Sequence, residues 1–225
     1  MEKIYRHPAD GKPSDKARTS FGFRDEDTLT AQSLRDILSV RICAKLNVTA
    51  GTLIIEEDMW DDAMALAGNP DPQVAFRASW ALEYAYTVKP GEVERRFDRF
   101  FADFITSGSE SVQRVYSKML CDMLRRGDVH LTEVQSEQAV ERCFDLLSSP
   151  DTPIAVAVWQ IELLYDMRHR FDWIEENLTE TVRRISESPE CTPGMAATVR
   201  RYFRRLGKNA ANADRTCSVR KSRNL

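Results

Sequence analysis

Long apolar runs are missing from this 225-residue chain: no segment approaches the roughly 18 uninterrupted apolar residues of a membrane-spanning helix, and Met1 to Lys12 hold no apolar core of the kind a secretory signal needs. The expectation is a soluble chain with no membrane partner. Glycine is scarce, nine residues or about 4% against a usual ~7%, and the nine prolines gather between periodic segments instead of inside them. The scarcity of glycine and the placement of proline between periodic segments both favour a protein made mostly of helices. The five cysteines, at 43, 121, 143, 191 and 217, are 22 residues or more apart, so no Cys-x-x-Cys pair exists for zinc or thiol exchange. Cys43, Cys121 and Cys143 fall in apolar helical stretches and read as small buried hydrophobes, which points to a reducing, cytoplasmic location.

Catalytic signatures are missing too. The chain has no Gly-x-x-x-x-Gly-Lys phosphate loop, no Gly-x-Ser-x-Gly elbow, no His-Glu-x-x-His and no Rossmann glycine fingerprint. His7, His130 and His169 are far apart and none has a nearby ligand pattern. The acidic run Glu56-Glu57-Asp58 with Asp61-Asp62 reads as favourable charge in the first turns of a helix, not as a cation site. The chain is also far shorter than adenylosuccinate lyases and lacks their Ser-Ser-x-Met-Pro-x-Lys-x-Asn-Pro type loop. A non-enzymatic role without metal or cofactor is the expectation.

The formal net charge of −3 conceals a division: residues 1–28 sum to 0, residues 29–192 to −11 and residues 193–225 to +8. An acidic body carries a basic end, which excludes a generally basic nucleic-acid coat. Residues 1–28 have no sustained periodicity and read as a flexible arm, and residues 209–225 read as a basic disordered tail.

Between these ends the chain repeats. Three loops place an acidic residue between prolines: Asn69-Pro70-Asp71-Pro72, Ser149-Pro150-Asp151-Thr152-Pro153 and Ser188-Pro189-Glu190-Cys191-Thr192-Pro193. Each reads as helix stop, N-cap and proline in the first helical turn. A fourth connection, Ser107 to Ser111, does the same without proline. Counting from Val74, Val112, Ile154 and Met195, the residues four, seven and eleven further on are all apolar or aromatic: Ala78, Ala81, Ala85; Tyr116, Met119, Met123; Val158, Ile161, Tyr165; Val199, Tyr202, Leu206. Leu34, Leu38 and Ile42 extend the register imperfectly backwards, since Arg41 and Lys45 interrupt it, giving starts at 34, 74, 112, 154 and 195. A second set of amphipathic helices lies between, marked by Trp60, Met64 and Ala67, by Phe97 to Phe104, by Val140, Phe144 and Leu147, and by Ile174 to Ile185. Helix pairs repeating every ~40 residues bury their apolar faces by stacking on one another.

Asp71-Pro72-Gln73-Val74, followed by Ala78, Ala81 and Leu82, resembles the second-helix signature of a HEAT unit. Where HEAT units commonly place Arg after the valine, this chain has Ala75, Gln113, Ala155 and Ala196, so the resemblance is to the architecture of the HEAT/armadillo superfamily over about residues 30–208. It implies an all-α fold, a right-handed α-solenoid of about four to five HEAT-like hairpins spanning residues 29–208. In such solenoids the second helix lines the concave face. Offsets 2, 6, 9 and 13 then form a lane opposite the apolar stripe: Phe76, Trp80, Glu83, Thr87; Arg114, Lys118, Cys121, Arg125; Val156, Gln160, Leu163, Met167; Ala197, Arg201, Arg204, Lys208. Six of these sixteen are basic and one is acidic, a local reversal of the body's sign.

The lane is read as a binding surface for a protein or peptide partner of acidic character, with Phe76, Trp80, Arg114, Lys118, Arg125, Gln160, Arg201, Arg204 and Lys208 as candidate contacts. Against this stands a plainer account, in which the aromatics pack on a neighbouring hairpin and the arginines keep a terminal repeat soluble. Glu162, at the edge of the apolar stripe, is either a boundary residue or the partner of an arginine from the next hairpin, and Trp159 beside it reads as core. The alternative function is that of a HEAT-like repeat DNA glycosylase. That resemblance would cast Trp80 and Trp159 as stacking residues with Arg114 and Asp122 or Asp166 near the lesion, although no local motif of that family is matched.

Overall fold

The computed structural model describes residues 31–39 and 45–221, with side chains over 34–39 and 45–207; the arm expected over residues 1–28 lies outside these, as do Ile42, Cys43 and the side chain of Lys208. The described residues form helices and no strand: α1 (Ala31–Ser39), α2 (Leu46–Glu56), α3 (Trp60–Ala67), α4 (Pro72–Val88), α5 (Pro90–Arg95), α6 (Phe97–Thr106), α7 (Glu110–Arg126), α8 (Glu133–Ser148), α9 (Ile154–Met167), α10 (Trp173–Glu187) and α11 (Pro193–Lys221). The all-α expectation holds.

The punctuation marks in the sequence set the helix ends. Asp71 is the N-cap of α4, its carboxylate accepting from the Gln73 N–H at 2.9 Å, with Pro72 in the first helical position where no N–H is needed. Pro193 opens α11 in the same way. At α9 the proline stands one place earlier, as the N-cap, so the helix begins at Ile154. Gly127 ends α7 with φ 77°, its N–H reaching Leu124 O and the Asp128 N–H reaching Met123 O, a left-handed cap that glycine adopts without steric cost. α11 runs on through residues 209–221, where the basic composition suggested an irregular tail; Ala210, Ala211 and Ala213 keep helix propensity high there.

Successive helices pack as pairs, α3 on α4, α6 on α7, α8 on α9 and α10 on α11. The second members touch one another in order, α4 to α7 to α9 to α11. Polar rungs show that these four run parallel, because each step joins residues in the same sequence order: Glu83 with Lys118 and Tyr86 with Asp122, Ser117 with Gln160 and Arg125 with Asp166, Glu162 with Arg201 and Asp166 with Arg205. The apolar stripes face inward: Val74, Ala78, Ala81 and Ala85 of α4 and Val112, Tyr116, Met119 and Met123 of α7 are all buried. α6 supplies Phe100, Phe101 and Phe104, with Phe100 stacked on Tyr116 at 4.7 Å between ring centroids.

Two side chains from the row close the ends of neighbouring helices. Buried Arg77 of α4 donates to the Leu38 carbonyl at 2.7 Å, placing a cation at the C-terminal end of α1 where the helix dipole is negative. Gln113 of α7 donates to the Phe104 and Ser107 carbonyls at 2.9 and 2.7 Å, satisfying the last turn of α6.

The backward extension of the register to Leu34 and Leu38 is right about burial and misses the neighbour: α4 packs chiefly on α2, a helix with no stripe of its own to announce it. Gly51 makes that packing close. A Cβ built there would stand 2.5 Å from Tyr84 Cδ1 and 2.8 Å from the Ala81 carbonyl oxygen. Gly51→Ala is therefore expected to destabilise the chain by roughly 1–3 kcal/mol through overpacking, despite alanine's better helix propensity. Urea unfolding checks the sign. Tyr84→Ala in the same chain should restore only part of the loss, because the Ala81 carbonyl cannot move away.

Candidate functional site

The candidate lane divides into residues the structure leaves accessible and residues it consumes in packing. Phe76 and Trp80, one turn apart on α4, are half-buried and stack with centroids 5.7 Å apart and planes 17° from parallel. On α7, Arg114 is half-buried and makes no ion pair among the described residues, while Lys118 is bonded to Glu83 of α4. Thr87 and Ala197 are exposed.

On α9 the expected lane is wrong by a step around the helix. Gln160 is fully buried and donates to Ser117 Oγ at 2.8 Å, inside the α7/α9 contact, and Val156, Leu163 and Met167 are buried with it, as is Cys121 opposite. The open side of α9 carries Ala155 and the half-buried Trp159, and Glu162 and Asp166 pair with arginines of the neighbouring helices. The cause lies in composition. α9 is apolar nearly all round, so a wheel started at Ile154 has no unique inward direction, and Ile154 itself is 40% exposed.

What the structure assembles around Glu162 and Asp166 is a five-membered ionic cluster drawn from three helices. Arg125 of α7 reaches Glu162 Oε2 through Nη2 and Asp166 Oδ2 through Nε, both at 2.6 Å. From α11, Arg201 Nε lies 3.0 Å from Glu162 Oε1, and Arg205 lies 2.7 Å from Glu162 Oε2 and 3.4 Å from Asp166 Oδ1. The Arg205 guanidinium sits over the Tyr165 ring at 3.7 Å from its centroid, and Arg168 packs on the same ring at 4.1 Å. Neither Arg205 nor Tyr165 was among the candidates. Their signal was the spacing: Glu162 and Asp166 are four apart on α9, Arg201 and Arg205 four apart on α11, so one turn of acid faces one turn of base. Of the two readings left open for Glu162, the arginine partner from the next hairpin is the one realised.

The burial of this cluster is graded. Side-chain exposure is 11% at Glu162 and 16% at Asp166, but 40% at Arg125, 50% at Arg201 and 32% at Arg205, so the carboxylates lie beneath and the guanidiniums face outward. Burial alone would raise the Glu162 carboxyl; Arg205, Arg125 and Arg201 together hold it below the usual glutamate range. Asp166 goes the other way, because burial and the neighbouring Glu162 charge outweigh Arg125 and Arg205 and lift it above the usual aspartate range. Arg204, next on α11, is exposed and makes no ion pair among the described residues.

A second polar cluster joins α4, α5 and α7. Tyr86 donates to Asp122 at 2.6 Å, while Arg126 donates to the Tyr86 hydroxyl at 2.9 Å and pairs with Glu94 and Asp128. Both carboxylates that the glycosylase resemblance would use, Asp122 and Asp166, are thus bonded to arginines. Cys121 and Cys143 are buried thiols, and burial pushes both well up from the reactive range. Among the described residues no group of three or more His, Cys, Asp or Glu is placed to hold a metal ion, and no helix is long and apolar enough to cross a membrane.

No family model matches the sequence, and no curated protein matches it. Among solved structures, an engineered protein determined by the Northeast Structural Genomics Consortium is similar at a TM-score of 0.48 and 14% sequence identity, covering 77% of this chain and 72% of that one.

Glu162→Gln leaves three guanidiniums around a neutral amide. Breaking a fully buried pair costs about 3–5 kcal/mol, but the arginines here remain in reach of water, so a loss of roughly 1–3 kcal/mol is expected at neutral pH. Glu162 is held below its unfolded value; its contribution is therefore complete above the ordinary glutamate pKa of about 4.3 and disappears as pH falls through the lower folded value. Urea titrations from pH 7 downward should show the gap between wild type and variant constant above about pH 5 and narrowing below about pH 4.

Proposed function

We propose that this chain is a non-enzymatic binding protein of the HEAT/armadillo type, a solenoid of about four to five helical hairpins whose α4, α7, α9 and α11 face holds an acidic protein or peptide. The pairwise packing of the helices and the parallel order of the second members support the architectural part of the reading. The observation that carries the functional part is the layering of charge on that face. Glu162 is buried and Asp166 largely covered beneath Arg125, Arg201 and Arg205, so a partner meets guanidinium N–H groups first. Toward α4 the same row offers Lys118, Arg114 and the half-buried Phe76–Trp80 stack, which suit apolar side chains interspersed with acids.

The acidic remainder of the body favours a short acidic segment over a long polyanion. A duplex would bring phosphates over a chain that sums to −11 between residues 29 and 192.

A fluorescein-labelled peptide of alternating glutamate and leucine is the direct probe, followed by anisotropy at low and at physiological salt. Binding that weakens with salt is expected. The combined change Trp80→Ala and Arg114→Glu should lower affinity by about tenfold or more while circular dichroism and melting temperature stay near wild type. Unchanged affinity in the double variant would remove this face from the reading. A short DNA duplex that binds more tightly than the peptide, with the steep salt dependence of several phosphate contacts, would replace it with the nucleic-acid reading.

A further inference from the structure

We propose that Arg125, Arg201 and Arg205, oriented from below by Glu162 and Asp166, form a receptor for a phosphomonoester carried on a polypeptide partner. The inference deepens the acidic-partner reading and rests on it for the polypeptide; the anion site itself rests on the geometry of the cluster.

Three features point to an oxyanion site and not merely to a set of internal salt bridges. The charges do not cancel: three guanidiniums surround two carboxylates, and Arg204 adds a further cation one residue from Arg205 without an ion pair of its own among the described residues. Donors are also left over. Arg201 engages the cluster through Nε alone and is half-exposed, so both of its terminal nitrogens are spare; Arg125 uses Nε and Nη2 and keeps Nη1. The third feature is orientation. Arg205 is held by both carboxylates and by the Tyr165 ring, and Arg125 by both carboxylates, so the planes of two forks are set before any ligand arrives. A guanidinium whose plane is already fixed loses little side-chain entropy on binding an anion.

The chemistry of the ligand follows from the number and spread of these donors. A carboxylate presents two oxygens and one charge, and a phosphodiester likewise presents two unesterified oxygens and one charge. A phosphomonoester presents three terminal oxygens and nearly two charges at neutral pH, matching several forks from different helices at once. A single dianion also feels chiefly the local excess of arginine, whereas a chain of diesters would extend over the acidic body.

The test compares three forms of one fluorescein-labelled acidic peptide, with a central phosphoserine, glutamate or serine, against the full chain, and adds inorganic phosphate as competitor. The phosphoserine peptide is expected to bind about tenfold or more tighter than the glutamate peptide, and Arg201→Gln to abolish that preference. Arg201→Lys, which keeps the charge and loses the fork, should retain only a small part of it. Arg201 is half-exposed and both variants are checked by melting temperature, so a folded variant with unaltered preference would overturn the proposal. Equal affinity for the phosphoserine and glutamate peptides would overturn it while leaving the acidic-partner reading in place. Failure of all three peptides to bind would remove both. Inorganic phosphate that binds as tightly as the phosphopeptide would overturn the polypeptide carrier, as would a short DNA duplex that displaces the phosphopeptide at lower concentration.

Discussion

A buried carboxylate needs its countercharges, and Glu162 recruits them from two other helices. An ionised group at 11% exposure loses most of its hydration, a cost of several kcal/mol that only well-placed charge and hydrogen bonds offset. Arg125 comes from α7 and Arg201 and Arg205 from α11, so the electrostatic requirement of one residue fixes the position of both helices beside α9. Apolar burial is non-directional, so it specifies which faces meet more strongly than which turns stand side by side. The rungs add that register: Ser117 to Gln160 within the α7/α9 contact, the arginines above it, and Lys118 to Glu83 on the α4 side. The row is specified by polar contacts and stabilised by apolar ones.

This division accounts for what could be read in the sequence. The stripes on α4 and α7 are buried at every member; α7 gathers most of its apolar residues on one side, while α4 carries Phe76 and Trp80 opposite its stripe and takes its register from the Asp71-Pro72 start. α9 defeats the same procedure. With Val156, Ala157, Ile161, Leu163, Leu164, Tyr165 and Met167 all buried, periodicity carries no direction, and Gln160, which the lane puts at the surface, is the hydrogen-bonded centre of a helix contact. A polar residue in an apolar helix is ambiguous until its partner is known, and the partner, Ser117, is 43 residues away. Arg77 was hidden for the same reason, since its carbonyl acceptor on Leu38 belongs to the backbone and leaves no mark in the sequence. α2 leaves no stripe in the sequence because it approaches α4 through glycine.

Charge was legible as a total and as a lane, but not as a depth. Counting along the chain finds an acidic body, a basic end and a run of arginines on one face. Which member of an ion pair lies outside depends on where its helix sits as well as on side-chain length. Arginine spans several carbons before its charge, which lets Arg125, Arg201 and Arg205 bring their heads to solvent while Glu162 and Asp166 remain beneath. The order is local: at Arg125, Arg201 and Arg205 the guanidiniums lie outside and the face is cationic, whereas at Arg96 and Arg168 the carboxylates of Asp58, Asp61 and Glu175 are the more exposed members.

The two ends of the proposed binding face then differ in how they would meet a ligand. Toward α11, the guanidiniums are held by carboxylates and by Tyr165, an arrangement that rewards a ligand of fixed geometry and tolerates little else. Toward α4, the Phe76–Trp80 pair is held by its own stacking and by partial burial, and Arg114 has no ion pair among the described residues, so this end can adapt to side chains of varied shape. A peptide read by such a face would be specified by one anion and accommodated by its apolar neighbours. Affinity would come from the aromatic end and discrimination from the arginine cluster, because a rigid set of donors left unpaired by the wrong ligand costs more than a loose hydrophobic contact gains.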